Sequence, residues 1–369
     1  IPTDITLLVT FEMFEQIKTG SVTSTCVDYT LFFEGPGKYF ISEAEIAHER
    51  GIRLYTMCNT GGLTWDIGVI PYEPCPYQWM RRYKALHEAR EKWGLSGLME
   101  SHHYGWWPSF VSELAKWSYW SPSPSEEEIL RMIAKRDFGE NNVETVIEAW
   151  KAWSDGIRNY VSTNEDQYGP FRIGPSYPLV FRRGVQIPTV PYAMFGGNKI
   201  CNPVYTSHDN GRSSLFQFRI PVEIERLEKM RECFRKGTEL LEGIYETVPE
   251  RKKQDVFYMI NLGKFIVNCV TTAINVKKWA ILKMKLFIEN DEAKINEYID
   301  EMIEIGKDEI KNAEATIPLV EADSRLGWEP SMEYMTDAYH LKWKIKQVKL
   351  TIEGELPVYR SALRFNKQV

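Results

Sequence analysis

Glu100 closes the apolar run Leu95 to Met99, and His102, His103, Tyr104, Trp106 and Trp107 follow it almost at once. Carboxylates exchange protons or accept hydroxyl hydrogen bonds, and flat aromatic rings desolvate the face of a sugar. Asp28 lies inside the apolar stretch TCVDYTLFF, where an acid must be paired or hydrogen-bonded and its pKa is open to displacement; Tyr29 is its neighbour. Asn59, Trp65 and Asp66 follow a third apolar run, and Glu12 and Glu15 follow the first. His102 shares the strand parity of Glu100, whereas His103 points the other way. Adjacent histidines on opposite faces do not by themselves supply three converging metal ligands, so no metal and no other cofactor is expected. Far downstream, EADSRLGWEPS sets Arg325, Trp328 and Glu329 between helical stretches. It reads either as a helix–helix connection or as a loop that returns to the site.

Something must hold these groups together. DITLLVTFEMF, TCVDYTLFF, IRLYTMCN and LSGLMES read as four strands. SEAEIAHERG reads as a helix with Ser42 and Glu45 as a capping box and Gly51 at its end, and YQWMRRYKALHEAREKWG as a second helix ending in glycine. Strands alternating with helices imply parallel βα units. Parity places Ile5, Leu7, Val9 and Phe11 on one face of the first strand and Thr6, Leu8, Thr10 and Glu12 on the other. An acid or amide stands near each strand's C-terminal end: Glu12, Asp28, Asn59 and Glu100. That is where a βα barrel gathers its chemistry. An open doubly wound sheet is the rival, but no glycine-rich phosphate loop accompanies these strands.

The expected fold class is therefore α/β: residues 1–120 form the C-terminal half of a (β/α)8 barrel, followed by a helical C-terminal domain. From residue 121 the character changes. SPSPSEEEILRMIAKRDFG opens a helix with Ser125 and Glu128 as a capping box, and VETVIEAWKAWSDGIRNY places Val143, Val146, Ile147, Trp150 and Ile157 on one face. Residues 121–220 combine these helices with an irregular Pro-, Gly- and Tyr-rich segment that packs on the barrel. Residues 221–369 are expected as a helical bundle.

Composition narrows the partners. The chain has 369 residues, 43% hydrophobic and 26% charged, with a net charge of -6 and no basic cluster. Nucleic acid and anionic membrane surfaces are not expected partners, and no apolar run approaches the roughly 18 residues of a bilayer span. The 12 tryptophans and 19 tyrosines fit either a large aromatic core or stacking platforms for a sugar. The six cysteines at 26, 58, 75, 201, 233 and 269 lack a C-x-x-C pair, so they read as buried thiols and lean towards a cytoplasmic setting. The opening IPTDITLLVT has neither an initiator methionine nor a signal peptide and leads straight into a strand, so further residues are expected upstream.

GLMESHHYGWWPSF after a strand, then RDFGENNVETVIEAWKAWSDGIRNY, resembles the last barrel strand and following helices of bacterial glycoside hydrolases built like the β-hexosaminidases and α-glucuronidases. The resemblance spans about residues 1–180 and is one of style. It implies a (β/α)8 catalytic barrel with Glu100 as a sugar-binding acid. Two departures stand out: no Asp-Glu pair closes a strand here, and Met99-Glu100-Ser101 replaces the Trp-Thr-Glu run of the hexosaminidases. If these strands are the last four of a barrel, the upstream half would carry that pair.

The expectation is a glycoside hydrolase or its C-terminal part, acting on a carbohydrate. Glu100 and Asp28 are its catalytic candidates. Tyr29, Asn59, Trp65, His102, His103, Tyr104, Trp106, Arg325 and Trp328 are its substrate-binding candidates. The alternatives are a non-catalytic carbohydrate-binding portion, or a metal-dependent barrel hydrolase using His102 and His103. An N-terminal barrel half or a second copy of the chain is the expected protein partner.

Overall fold

The computed structural model describes residues 2–26, 29–100, 107–161, 169–181, 216–329 and 334–365. Its first strands are β1 (Thr6–Thr10), β2 (Gln16–Thr19) and β3 (Val22–Thr25). Helix α1 (Lys38–Glu49), β4 (Arg53–Met57), α2 (Pro76–Trp93) and β5 (Leu95–Met99) follow. β1, β4 and β5 form a parallel sheet in the order β1-β4-β5, with Leu7 opposite Leu54 and Leu54 opposite Leu95. Three of the four expected strands thus run in one direction at the expected places. Among the described residues the parallel sheet has three strands, which fits an α/β protein with a helical remainder, and no closed barrel is formed.

The departure is TCVDYTLFF. Val22–Thr25 pairs antiparallel with Gln16–Thr19 as a hairpin, and residues 29–34 form a loop instead of a strand. A half-buried strand alternates between covered and open side chains, but Thr30, Leu31 and Phe32 are all buried in succession. Their backbone groups bond to side chains instead of a ladder: the N–H groups of Leu31 and Phe32 donate to Asp66, and the carbonyls of Thr30 and Phe33 accept from Arg82.

α1 also starts earlier than its sequence suggests. It begins after Gly37, so Ser42 and Glu45 lie inside the helix and form no cap. Phe40 explains the shift: it is buried against Phe11 at 4.8 Å and Trp93 at 5.9 Å, and that burial is worth about 2–3 kcal/mol. Gly51 (φ 63°) and Gly94 (φ 71°) follow the two helices in the left-handed conformation that glycine adopts without steric cost. The Ser125–Glu128 capping box forms as read, with Ser125 N–H donating to Glu128 across 2.9 Å.

Both α1 and α2 cover the same face of the sheet. Val9, Phe11, Leu54, Cys58 and Leu95 meet Phe40, Ala44, Leu86, Ala89 and Trp93 there. The pairing of β4 with β5 carries an irregularity between Leu54 and Thr56, which brings Leu95 and Leu98 to the covered face and turns Met99 away. Alternation along β5 is therefore broken by one residue, as a bulge does.

Among the described residues the remainder is mainly helical: α3 (Phe110–Ser118), α4 (Glu126–Phe138), α5 (Val143–Ile157), the short α6 (Pro170–Ile173), α7 (Phe216–Ile244), α8 (Lys253–Ile288), α9 (Glu292–Ala322), α10 (Ala338–Leu350) and α11 (Leu356–Phe365). Trp150 and Trp153 on α5 are fully buried; Trp150 stacks on Phe110 at 4.8 Å and Trp153 donates to Phe234 O at 3.0 Å. α8 is long and apolar enough to cross a membrane by length and composition, but 67% of its most apolar window is buried inside the protein, as for the central helix of a bundle. Glu309 of α9 pairs with Lys344 of α10 in the core, and Lys344 also donates to Pro175 O at 2.7 Å. This buried pair ties segment 169–181 to the bundle.

Candidate functional site

Arg82, on α2, is fully buried and organises the segments beyond the sheet's C-terminal edge. Its Nε donates to Glu34 O (2.7 Å), and Nη2 donates to Thr30 O (2.7 Å) and Phe33 O (2.8 Å). Nη1 faces Glu12 Oε1 (3.4 Å), Cys58 Sγ (2.9 Å) and Asn59 O (3.4 Å). One guanidinium thus holds the residues that follow β1, the 29–34 loop and the residues that follow β4. A buried charge is tolerated only when paired and hydrogen-bonded in this way. Beside it Tyr29 adopts φ 57°, a region that a bulky side chain enters at a cost of roughly 1–2 kcal/mol. Trp65 N–H donating to Tyr29 O at 2.9 Å, and the Arg82 bond to Thr30 O, keep it there.

Two acids lie under this layer. Asp66 accepts from the N–H groups of Leu31 (2.6 Å) and Phe32 (2.9 Å) and from the Thr30 hydroxyl. Burial nonetheless pushes its carboxyl up to about 6. Glu73 meets the Thr64 hydroxyl at 2.5 Å, and its Oε2 has no hydrogen-bond partner among the described residues. Burial, and then the nearby Asp66 charge, raise Glu73 well above the usual carboxylate range. Both acids are enclosed, so they set the shape of the site without contacting solvent.

Above them three partly exposed tryptophans stand around one ion pair. Trp65, in the segment after β4, packs against Tyr29 at 5.1 Å, and Tyr29 Oη reaches Met57 Sδ at the end of β4 (3.5 Å). Arg172 lies over the Trp65 ring at 5.7 Å and pairs with Glu329 at 2.6 Å. Trp328, beside Glu329, makes an edge contact with Trp107 at 6.0 Å, and Trp107 precedes α3 in the segment after β5. Backbone bonds fasten the three segments: Gly68 N–H donates to Phe171 O (3.0 Å) and Gly327 N–H to Val69 O (2.9 Å). The Thr336 hydroxyl donates to Ile173 O (2.5 Å). The connection between α9 and α10 thus meets the segment after β4 through Gly327.

Glu100 directly follows β5. Tyr119 Oη donates to its Oε1 at 2.6 Å and lies 3.3 Å from Thr60 Oγ1, while Tyr83 Oη donates to Thr60 O at 2.7 Å. Burial, and then the bond to Glu100, raise the Tyr119 hydroxyl well above its usual range, so it remains a donor at neutral pH. Glu100 lines a cavity of about 480 Å³ between β5, α2 and the end of α3.

The other sequence candidates are distributed as follows. Tyr29, Asn59, Trp65 and Trp328 lie in the segments just described. Asn59 is buried and spends its amide on Leu63 O. Arg325 pairs with Asp323 at 2.8 Å and lies over the Tyr258 ring of α8 at 5.0 Å, on the bundle side of its loop. Asp28, His102, His103, Tyr104 and Trp106 lie outside the described residues. Among the described residues no group of three His, Cys, Asp or Glu is arranged to hold a metal ion.

No protein-family model and no curated protein matches this chain. One solved structure does. The chain shares the fold of a GH138 enzyme. That enzyme is described as targeting pectin rhamnogalacturonan II, and it aligns with a TM-score of 0.51 at 9% identity. The alignment covers 98% of this chain and 43% of the GH138 chain, so the chain spans less than half of that structure. At this identity the likeness is one of fold and does not extend to a hexosaminidase-type or α-glucuronidase-type site.

The residues that the sequence reading passed over are Arg172, Arg82, Tyr119 and Glu73. Arg172 left one signal: a lone cation in the apolar run GPFRIGPSYPLVF must find a buried partner. Arg82 and Tyr119 left none, because on a helical stretch a basic or aromatic residue reads as surface or core.

Proposed function

We propose that the chain belongs to a glycoside hydrolase and forms a wall of its carbohydrate site. The observation that carries this reading is the arrangement of Trp65 and Trp107, in the segments after β4 and β5, with Trp328, in the loop between α9 and α10, about the buried Arg172–Glu329 pair. Partly exposed indole rings offer flat apolar faces to sugar C–H groups, and a fixed ion pair holds those faces in register. The shared fold with a GH138 enzyme supports the same class, and a pectic polysaccharide such as rhamnogalacturonan II is the first substrate to try. In this reading Glu100, oriented by Tyr119, and Asp28 are the acids that act on the sugar, and His102, His103, Tyr104 and Trp106 bind it, while the buried Tyr29 and Asn59 support the segments from behind.

A second reading has one observation in its favour. Glycoside hydrolysis uses two carboxyl groups about the scissile bond. Among the described strand-end acids, Glu12 is fully buried and ion-paired with Arg82, which leaves Glu100 in the open cavity. The chain would then bind a glycan while the catalytic pair stands elsewhere. One experiment separates the readings: binding and reducing-end release are measured on a panel of polysaccharides and aryl-glycosides, for wild type and Glu100→Gln. Hydrolysis that Glu100→Gln abolishes, with binding retained, supports the first. Binding without hydrolysis in both proteins supports the second. Absence of any glycan binding defeats both.

A further inference from the structure

Two bulky residues stand in the left-handed backbone region. Among the described residues, Phe14 (φ 63°) and Tyr29 (φ 57°) are the non-glycine residues with positive φ. Both are aromatic, and both lie beyond the C-terminal edge of the parallel sheet. Phe14 comes four residues after Thr10, the last residue of β1. Turns place glycine or asparagine at such positions, because a bulky side chain enters them at a steric cost. Tyr29 is buried and packs on Trp65, so its burial offsets that cost. Phe14 is 49% exposed and, among the described residues, belongs to neither hydrophobic core. Its own burial therefore does not explain its conformation.

The backbone around Phe14 is clamped instead. Phe14 N–H donates to Cys26 O at 3.0 Å, Cys26 N–H to Glu15 O at 2.7 Å and Glu15 N–H to Glu12 O at 3.4 Å. The Glu15 carboxylate accepts the N–H groups of Gln16 (3.0 Å) and Lys38 (2.6 Å), which ties the turn to the start of α1. There Tyr39, 50% exposed, meets the Phe14 ring edge-on at 6.3 Å. Backbone strain that the surroundings over-determine collects at ligand-contacting positions, since an unstrained residue would serve folding better.

We propose that Phe14 and Tyr39 form an outlying sugar subsite, which takes a further residue of a saccharide chain held by the tryptophans. The proposal rests on the carbohydrate reading above. Continuity with the tryptophan wall favours a saccharide as the occupant. Cys26, bonded to Phe14, stands three residues before Tyr29, and three residues span at most about 11 Å. Tyr29 in turn packs on Trp65 at 5.1 Å. The two half-exposed rings thus lie at the same sheet edge as Trp65, within the reach of one oligosaccharide. Their apolar faces suit sugar C–H groups, and Lys38 Nζ, 5.3 Å from the centre of the Tyr39 ring, is a donor for hydroxyl oxygens beside them.

The test uses the polysaccharide that wild type binds, rhamnogalacturonan II first, cut into fragments of increasing size. Calorimetric titration compares wild type, Phe14→Gly, Tyr39→Ala and Trp107→Ala. Phe14→Gly removes the ring and the left-handed penalty together, so its urea midpoint is expected to equal or exceed that of wild type. Phe14→Gly and Tyr39→Ala should each weaken binding of the longest fragments about tenfold and leave the shortest bound fragment unaffected, whereas Trp107→Ala weakens every length. Wild-type affinity for the longest fragments in either ring variant overturns the subsite and leaves the tryptophan site standing. Equal weakening at every length overturns it as well, because the rings then act on the main site. A Phe14→Gly midpoint clearly below that of wild type does the same, since the ring would then serve folding. Absence of glycan binding by wild type defeats the carbohydrate reading and the subsite together.

Discussion

Arg172 and Glu329 lie 2.6 Å apart and are 157 positions apart in the chain, with side chains 7% and 0% exposed. This contact joins the segment after α5 to the loop between α9 and α10, and it places Trp328 in the same cluster as Trp65. Removing one partner leaves the other charge buried without its counterpart. Arg172→Met and Glu329→Gln are each expected to cost about 3–5 kcal/mol in urea unfolding. The double variant should cost clearly less than the sum of the two, and additive losses would show that the two charges act separately.

Trp328→Ala and Trp107→Ala remove partly exposed rings from the proposed platform. Each is expected to weaken binding of the saccharide found in the polysaccharide panel by about tenfold, equivalent to about 1.4 kcal/mol. Calorimetric titration checks this. Unchanged affinity in both variants would take the tryptophans out of the site.

Asp66 gives a pH signature. Its folded-state carboxyl titrates at about 6, against an ordinary value of 3.8, because it is buried. Between those values the unfolded chain has released the proton while the folded protein retains it. The group's contribution to stability is therefore full below about pH 4 and is lost as pH rises towards 6, by about 3 kcal/mol in all. Asp66→Asn should flatten that part of the stability–pH curve relative to wild type. Parallel curves for the two proteins across pH 4–6 would refute the shift.

Gly327 has φ 81°, and a Cβ there would lie 1.7 Å from Thr336 O. Gly327→Ala is expected to cost more than about 2 kcal/mol and to release the loop from Val69, because a left-handed backbone and a clash with another backbone atom are both imposed. Exchange at the Gly327 and Thr336 amides is the direct check, and unchanged protection would contradict it.

The sequence on its own determined the local elements whose signals are local. Short apolar runs in DITLLVT, IRLYTM and LSGLM marked three strands, although the break in alternation between Leu95 and Leu98 appears only in the pairing of β5 with β4. Glycines at 51 and 94 marked helix ends, and Ser125 with Glu128 marked a helix start. It also located Glu100 and Trp65 beyond strand ends, together with Trp328 in a loop between helices. Tertiary structure decided the rest. Residues 29–34 carry the apolar composition of a strand, yet Arg82 and Asp66, both distant in sequence, bind their backbone and hold them as a loop. Arg172 finds Glu329 across 157 positions, and no period or spacing encodes that meeting. Side-chain periodicity reports which face of an element is buried. It does not report which distant charge will satisfy a buried polar group, and here those long-range pairings assemble the candidate site.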